Sequence, residues 1–180
     1  MTSEQVIETW LAEEAEIVSR LEAGPGPGLA SPEQVAGKTG LEFLQAMLRG
    51  EVPYAAIAKT LDFTIVEVSD GGCVFQGEPR AQHLNPLGTI HGGWVATLLD
   101  SALGCSVHTK MPPGRGYTTA ELSVNYVKGL TPRVKRVRAE GKVIHCGRQL
   151  ATAEARLVGP DGTLYAHATT TCLVFEMPQR

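Results

Sequence analysis

The chain has 180 residues, 43% of them apolar and 19% charged, and its 16 Lys and Arg against 19 Asp and Glu leave a net charge of −3. That length suits one domain with an appendage, able to bury roughly 70% of its unfolded surface without staples. The charge balance argues against a nucleic-acid binder, no run of about 18 apolar residues offers a membrane span, and the start Met1–Gln5 lacks the basic and apolar parts of a signal peptide, so a cytoplasmic protein is expected.

Residues 3–22 read as an amphipathic helix, with Ile7, Trp10, Leu11, Ile17, Val18 and Leu21 at helical spacing and Ser3 as its expected cap. Its other face holds six Glu against the single Arg20, so this arm is acidic and the rest of the chain is faintly basic. Gly24-Pro25-Gly26-Pro27-Gly28 reads as a linker near 23–30. Ser31-Pro32-Glu33-Gln34 and Thr39-Gly40-Leu41-Glu42 both have the capping-box form, and Leu41, Leu44 and Leu48 continue a stripe to Gly50. Residues 1–50 are therefore expected to be a helical extension of a domain spanning 51–180.

From Leu61 the period changes to two. Asp70-Gly71-Gly72 marks a hairpin turn, and further alternating runs cover 119–126, 136–143 and 151–157. In the first of these, Ala120, Leu122, Val124 and Tyr126 are expected on one face with Thr119 on the other. Pro160-Asp161-Gly162 turns into a last run, Leu164 to Phe175. Between the strand groups, His91 to Met111 is apolar nearly all round, as in a buried helix. The expected class is α+β, an antiparallel sheet wrapped around one long central helix.

Cys73, Cys105, Cys146 and Cys172 form no CxxC pair, and none has a histidine at zinc-finger spacing; they read as reduced, small core residues. The five histidines show no ligand spacing. Neither a metal nor a redox cofactor is expected.

The central helix carries one charge. Asp100 is the only carboxylate between Glu78 and Glu121. Burying it costs several kcal/mol unless it is paired or used, and desolvation raises a carboxyl pKa and makes a better base. A structural Asp bonded to backbone or to a partner chain explains it equally. Ahead of it, Asn85 to Gly93 is a loop entering the helix. Gly92 and Gly93 either allow tight packing or leave N–H groups free to polarise a carbonyl. Gly92 and Asp100 are eight residues apart on one helix, roughly 12 Å, so a single chain cannot bring both to one carbonyl. Two helices packed antiparallel would, which demands at least a dimer.

Asn85, Gly88, His91-Gly92-Gly93 and Leu98-Leu99-Asp100, followed by Thr119-Ala120-Glu121-Leu122-Ser123-Val124-Asn125-Tyr126, Gly147 to Ala153 and Asp161 to Ala166, resemble the hotdog-fold acyl-CoA thioesterases of the PaaI-like type over residues 50–176. The resemblance implies the hotdog fold and hydrolysis of an acyl-CoA, with CoA part of the substrate and no separate cofactor. It implies a homodimer, commonly a homotetramer. Asp100 is then the base or nucleophile and Gly92 polarises the carbonyl. Asn85 places the nucleophile or carbonyl, His91 orients the thioester, and Thr119, or Thr118 one step away, positions water. Gly93 and Gly147 fall in the substrate-binding segments. The basic cluster Arg133, Lys135, Arg136, Arg138, Lys142 and Arg148 reads either as a solvated strand face or as a landing place for CoA phosphates, with Arg148 foremost. Trp94 and Tyr126 are core or acyl-pocket residues. An acyl-thioester dehydratase and a non-catalytic acyl-CoA-binding module are the competing functions.

Overall fold

The computed structural model describes residues 2–177. Helix α1 (Ser3–Ala23) is capped by Thr2, not Ser3: the Thr2 side chain accepts from the Gln5 N–H and the Gln5 side chain reaches back, a closed capping box one residue earlier than expected. Helices α2 (Pro32–Val35) and α3 (Gly40–Leu48) start at the expected capping boxes of Ser31 and Thr39. A short α4 (Ala56–Thr60) precedes the sheet.

Six strands follow: β1 (Phe63–Ser69), β2 (Gly72–Gly77), β3 (Arg115–Tyr126), β4 (Val137–Cys146), β5 (Leu150–Val158) and β6 (Leu164–Glu176). They form one sheet in the order β1-β2-β4-β5-β6-β3, and every pairing is antiparallel. The long helix α5 (Gly92–His108) lies between β2 and β3 in sequence and fills the concave face. Leu98, Leu99, Ala102, Leu103 and Val107 are fully buried there. Small residues on the strands let the helix sit close: a β-carbon at Gly141 would meet the Ala102 carbonyl oxygen at 2.4 Å, and one at Gly77 would meet the Trp94 ring at 2.8 Å.

The opposite face of the sheet is polar, and α1 lies on part of it. Arg136 donates to Glu14 at 2.7 Å and Arg138 donates to Gln76 at 2.8 Å while pairing with Glu13. The Arg138 guanidinium stacks 4.4 Å over the Trp10 ring. Gln76, fully buried, donates to the Trp10 carbonyl and to Glu14. The acidic arm is therefore docked on the basic body of its own chain.

Strand β3 is an edge strand, bonded to β6 on one side only. Its register with β6 shifts between Thr119 and Glu121. This bulge reverses the alternation, because one extra residue flips every later side chain to the other face. Thr119 therefore faces α5 together with Tyr126, where simple period two had set them on opposite faces. No helix among the described residues is long and apolar enough to cross a membrane.

Candidate active site

The loop entering α5 is tied from several sides. Asn85 accepts from the N–H of Leu87 at 2.9 Å and of Thr89 at 3.3 Å, and its amide donates to the Thr89 hydroxyl at 2.8 Å. Backbone N–H groups only donate, so the Asn85 oxygen is fixed toward the loop and one amide hydrogen stays free for a ligand. His91 caps the helix: its Nδ1 accepts from the Gly93 N–H at 2.9 Å. Nδ1 must then be bare, which leaves the neutral ring's proton on Nε2.

This arrangement separates the two glycines. The Gly93 N–H is taken up by the cap, where it orders the helix start. The Gly92 N–H meets no acceptor among the described residues and remains an open donor at the positive end of a helix of 17 residues. The Gly92 carbonyl accepts from the Tyr126 hydroxyl at 2.9 Å. A β-carbon at Gly92 would stand 3.0 to 3.2 Å from that hydroxyl and ring, so glycine admits the tyrosine. The hydrogen bond from Tyr126 to the Gly92 peptide was not legible in sequence; its signal lies in the strand bulge, which no periodicity reveals.

Asn85, Gly92 and Tyr126 line a cavity of about 280 Å³ together with Thr89, Lys128 and Tyr165. Trp94 is not part of it. Its ring stacks on His83, with centroids 5.2 Å apart, and its Nε1 donates to the Leu61 carbonyl at 2.7 Å, so it is core. Two larger depressions, about 830 and 440 Å³, lie away from this loop, on the outer sheet face and beneath α1.

Farther along α5, Asp100 accepts a hydrogen bond from the Thr119 hydroxyl at 3.1 Å. Thr119, not Thr118, makes this contact. Asp100 is half-buried within one chain, on a stripe with Ala96, Thr97 and Ser101, and is not sealed in the core as its apolar neighbours suggested. The reason is that the helix faces the sheet on one side and only the β3 edge on the other. Cys172 stands opposite Thr119 in the strand ladder and is fully buried. Burial pushes its thiol up.

Two half-sites result, Asn85-His91-Gly92-Tyr126 and Asp100-Thr119, separated along the helix by roughly 12 Å. Arg148 and Gly147 belong to neither. They occupy the β4–β5 turn, where Arg115 bonds the Arg148 carbonyl and the Gly147 N–H donates to Leu150 at 2.8 Å. Arg115 is four residues from Thr119, about 13 Å along the strand. Part of the expected basic landing face is engaged within the chain. Arg136 and Arg138 are taken by Glu14, Glu78 and Glu13. Among the described residues no three His, Cys, Asp or Glu side chains gather as a metal site.

A family model described as "Thioesterase superfamily" matches residues 87–166. An X-ray structure of a protein from the thioesterase superfamily is 32% identical, covering 66% of this chain and 89% of that one, with a TM-score of 0.58. A variant of the phenylacetic acid degradation protein PaaI from Thermus thermophilus is 28% identical, covering 65% of this chain and 96% of its own, with a TM-score of 0.59. A curated protein of Halobacterium salinarum, provisionally named an esterase, is 27% identical over 129 residues, 69% of this chain and 83% of the relative.

Proposed function

The chain belongs to the thioesterase superfamily, and we propose that it hydrolyses an acyl-CoA thioester to free acid and thiol at a site shared by two copies. The observation that carries this is Asp100, held by Thr119 of β3, on the same helix whose open Gly92 N–H lies roughly 12 Å away. Each half holds what the other lacks: one an oxyanion donor, the other a carboxylate.

The free edge of β3 supports the pairing of two copies. It runs for 12 residues with no partner strand on its outer side among the described residues, an arrangement that isolated proteins usually blunt. In this chain Tyr126 touches Gly92 and Thr119 touches Asp100, so β3 runs antiparallel to α5. An antiparallel pairing of two β3 edges about a two-fold axis midway between Thr119 and Tyr126 would set Asp100 of one copy beside Gly92 of the other.

In that site the thioester carbonyl accepts from the Gly92 N–H, reinforced by the α5 dipole. Asp100 either takes the proton of an attacking water or adds to the carbonyl carbon itself. Thr119 holds the carboxylate in place. Carbon–sulfur cleavage follows, directly to the free acid in the first route and to an acyl–Asp100 anhydride in the second, which water then opens to release the acid and restore the carboxylate; in both routes a proton from that water passes to the thiolate. Asn85 keeps one N–H for the carbonyl or the water.

Asp100→Asn should lower hydrolysis of acyl-CoA substrates by about 10²- to 10⁴-fold with an unchanged melting temperature. Equal turnover by the variant would sink the proposal, as would an active protein that sediments as a monomer.

A further inference from the structure

The polarity of the two half-sites assigns the two arms of a thioester. The cavity beside Gly92 is open, with Asn85, Thr89 and Lys128 in its wall. That suits the thiol arm, which carries amides and must reach solvent. The acyl arm is left with the other direction, between β3 and α5 on the Asp100 side.

There Tyr117 precedes Thr119 by two residues, before the bulge, and so shares its face. Its ring lies on α5 where residue 104 is glycine. A β-carbon at Gly104 would stand 2.8 Å from the Tyr117 hydroxyl and 3.1 Å from a ring carbon. Gly104 follows Asp100 by one helical turn, about 6 Å along the axis. The ring also sits 5.6 Å from His108. Burial, with Cys105 and Cys172 close by, pushes the hydroxyl well up, so the phenol stays neutral. An aromatic plug thus stands one turn behind the carboxylate.

We propose that Tyr117 is the specificity-determining residue that ends the acyl pocket, limiting this chain to thioesters whose acyl group extends only a few carbons past the carbonyl. The inference rests on the thioesterase reading above. It requires no change in the chemistry: Tyr117 touches the acyl end, not the reacting atoms.

The test compares wild-type protein with Tyr117→Ala and Tyr117→Leu on straight-chain acyl-CoAs of rising length. Truncating this partly buried ring opens space on the order of 150 Å³, enough for a benzene-sized group. One methylene in an apolar pocket is worth roughly tenfold or more in kcat/KM. Either variant should therefore raise the ratio of long-chain to short-chain kcat/KM at least tenfold. Tyr117→Phe, which keeps the ring, should leave the profile in place. If Tyr117→Ala does not fold, Tyr117→Leu carries the same test. A folded truncation with an unshifted length profile overturns the proposal while leaving thioester hydrolysis intact. A wild-type protein that cleaves no acyl thioester overturns the parent reading and this inference with it, and the two failures are told apart by the wild-type control.

Discussion

Two helices lie on the two faces of one sheet and are held there by different forces. Helix α5 buries nine of its residues, among them five that are fully enclosed apolar side chains. Helix α1, four residues longer, buries only Ile17 and Leu21. What α1 has in place of apolar area is a set of charge-assisted contacts: Glu14 with Arg136, Glu13 with Arg138, and Trp10 under the Arg138 guanidinium. The inner helix is attached by burial, which charge screening does not weaken. The outer one is attached by partly dried ion pairs, which are specific and salt-sensitive. Gly92 and Asp100 of the proposed site sit on the first, and Arg136 and Arg138, two of the basic side chains that looked available for an anionic substrate, are occupied by the second.

The largest effect should come from breaking the inner attachment. Leu98→Ala removes a fully buried side chain between α5 and the sheet and should cost about 2–5 kcal/mol of unfolding free energy. Chemical denaturation measures it, and turnover per folded molecule should persist. A loss below about 1 kcal/mol would mean that α5 is not the centre of the core.

Breaking the outer attachment should cost less. Glu14 and Arg136 keep only 17% and 16% of their side-chain exposure, so a lone charge left there is poorly solvated. Arg136→Glu, which also sets like charges against Glu14 and Glu78, should cost about 1–3 kcal/mol and free α1. Adding Glu14→Arg should recover part of that loss. A double variant no better than the single one would show that the pair does not anchor the helix. Raising salt from 0.05 to 1 M should act in the same direction at under about 1 kcal/mol, read from Trp10 fluorescence, and should leave Leu98-dependent stability where it was.

The same contrast explains how much was legible in the sequence. The inner helix and most strands declare themselves through apolar periodicity, and the capping boxes of Ser31 and Thr39 through spacing, because these patterns are local. Asp100 stands out as the one charge in an apolar stretch and Gly92 as a glycine at the helix start, whereas His91 and Asn85 are marked only by the resemblance to the family. Three features leave no mark in the residue pattern. The bulge at Thr119 brings that hydroxyl to Asp100, and it arises from the register of β3 against β6. Capture of the Gly93 N–H by His91 depends on a side-chain rotamer. Neutralisation of Arg136 and Arg138 joins residues more than 120 positions apart.

Acid separates the two regions along the pH axis. At the far end of α5, burial holds the His108 imidazole below its usual range, against Phe43 and Tyr117. His83, beneath Trp94, is lowered by burial as well, with Asp62 opposing in part. A histidine kept neutral in the fold takes up its proton more readily in the unfolded chain. Stability should therefore begin to fall as pH drops below the ordinary imidazole value of about 6.5. Near α1 the sign of the shift is the same but the consequence falls lower. Burial alone would raise Glu78, but Arg80 and Arg136 outweigh it and hold its carboxyl down. Its contribution is complete above the ordinary carboxylate value of about 4.3 and is lost as pH falls through the lower folded value. His108→Gln, neutral at every pH, should reduce the fall in melting temperature between pH 7 and 5.5 to the part that His83 contributes. Arg136→Ala should leave that interval unchanged and flatten the profile only below about pH 4.5. Identical profiles for the two variants would show that the inner and outer helices titrate as one unit, and the distinction between burial and ion pairing would fail.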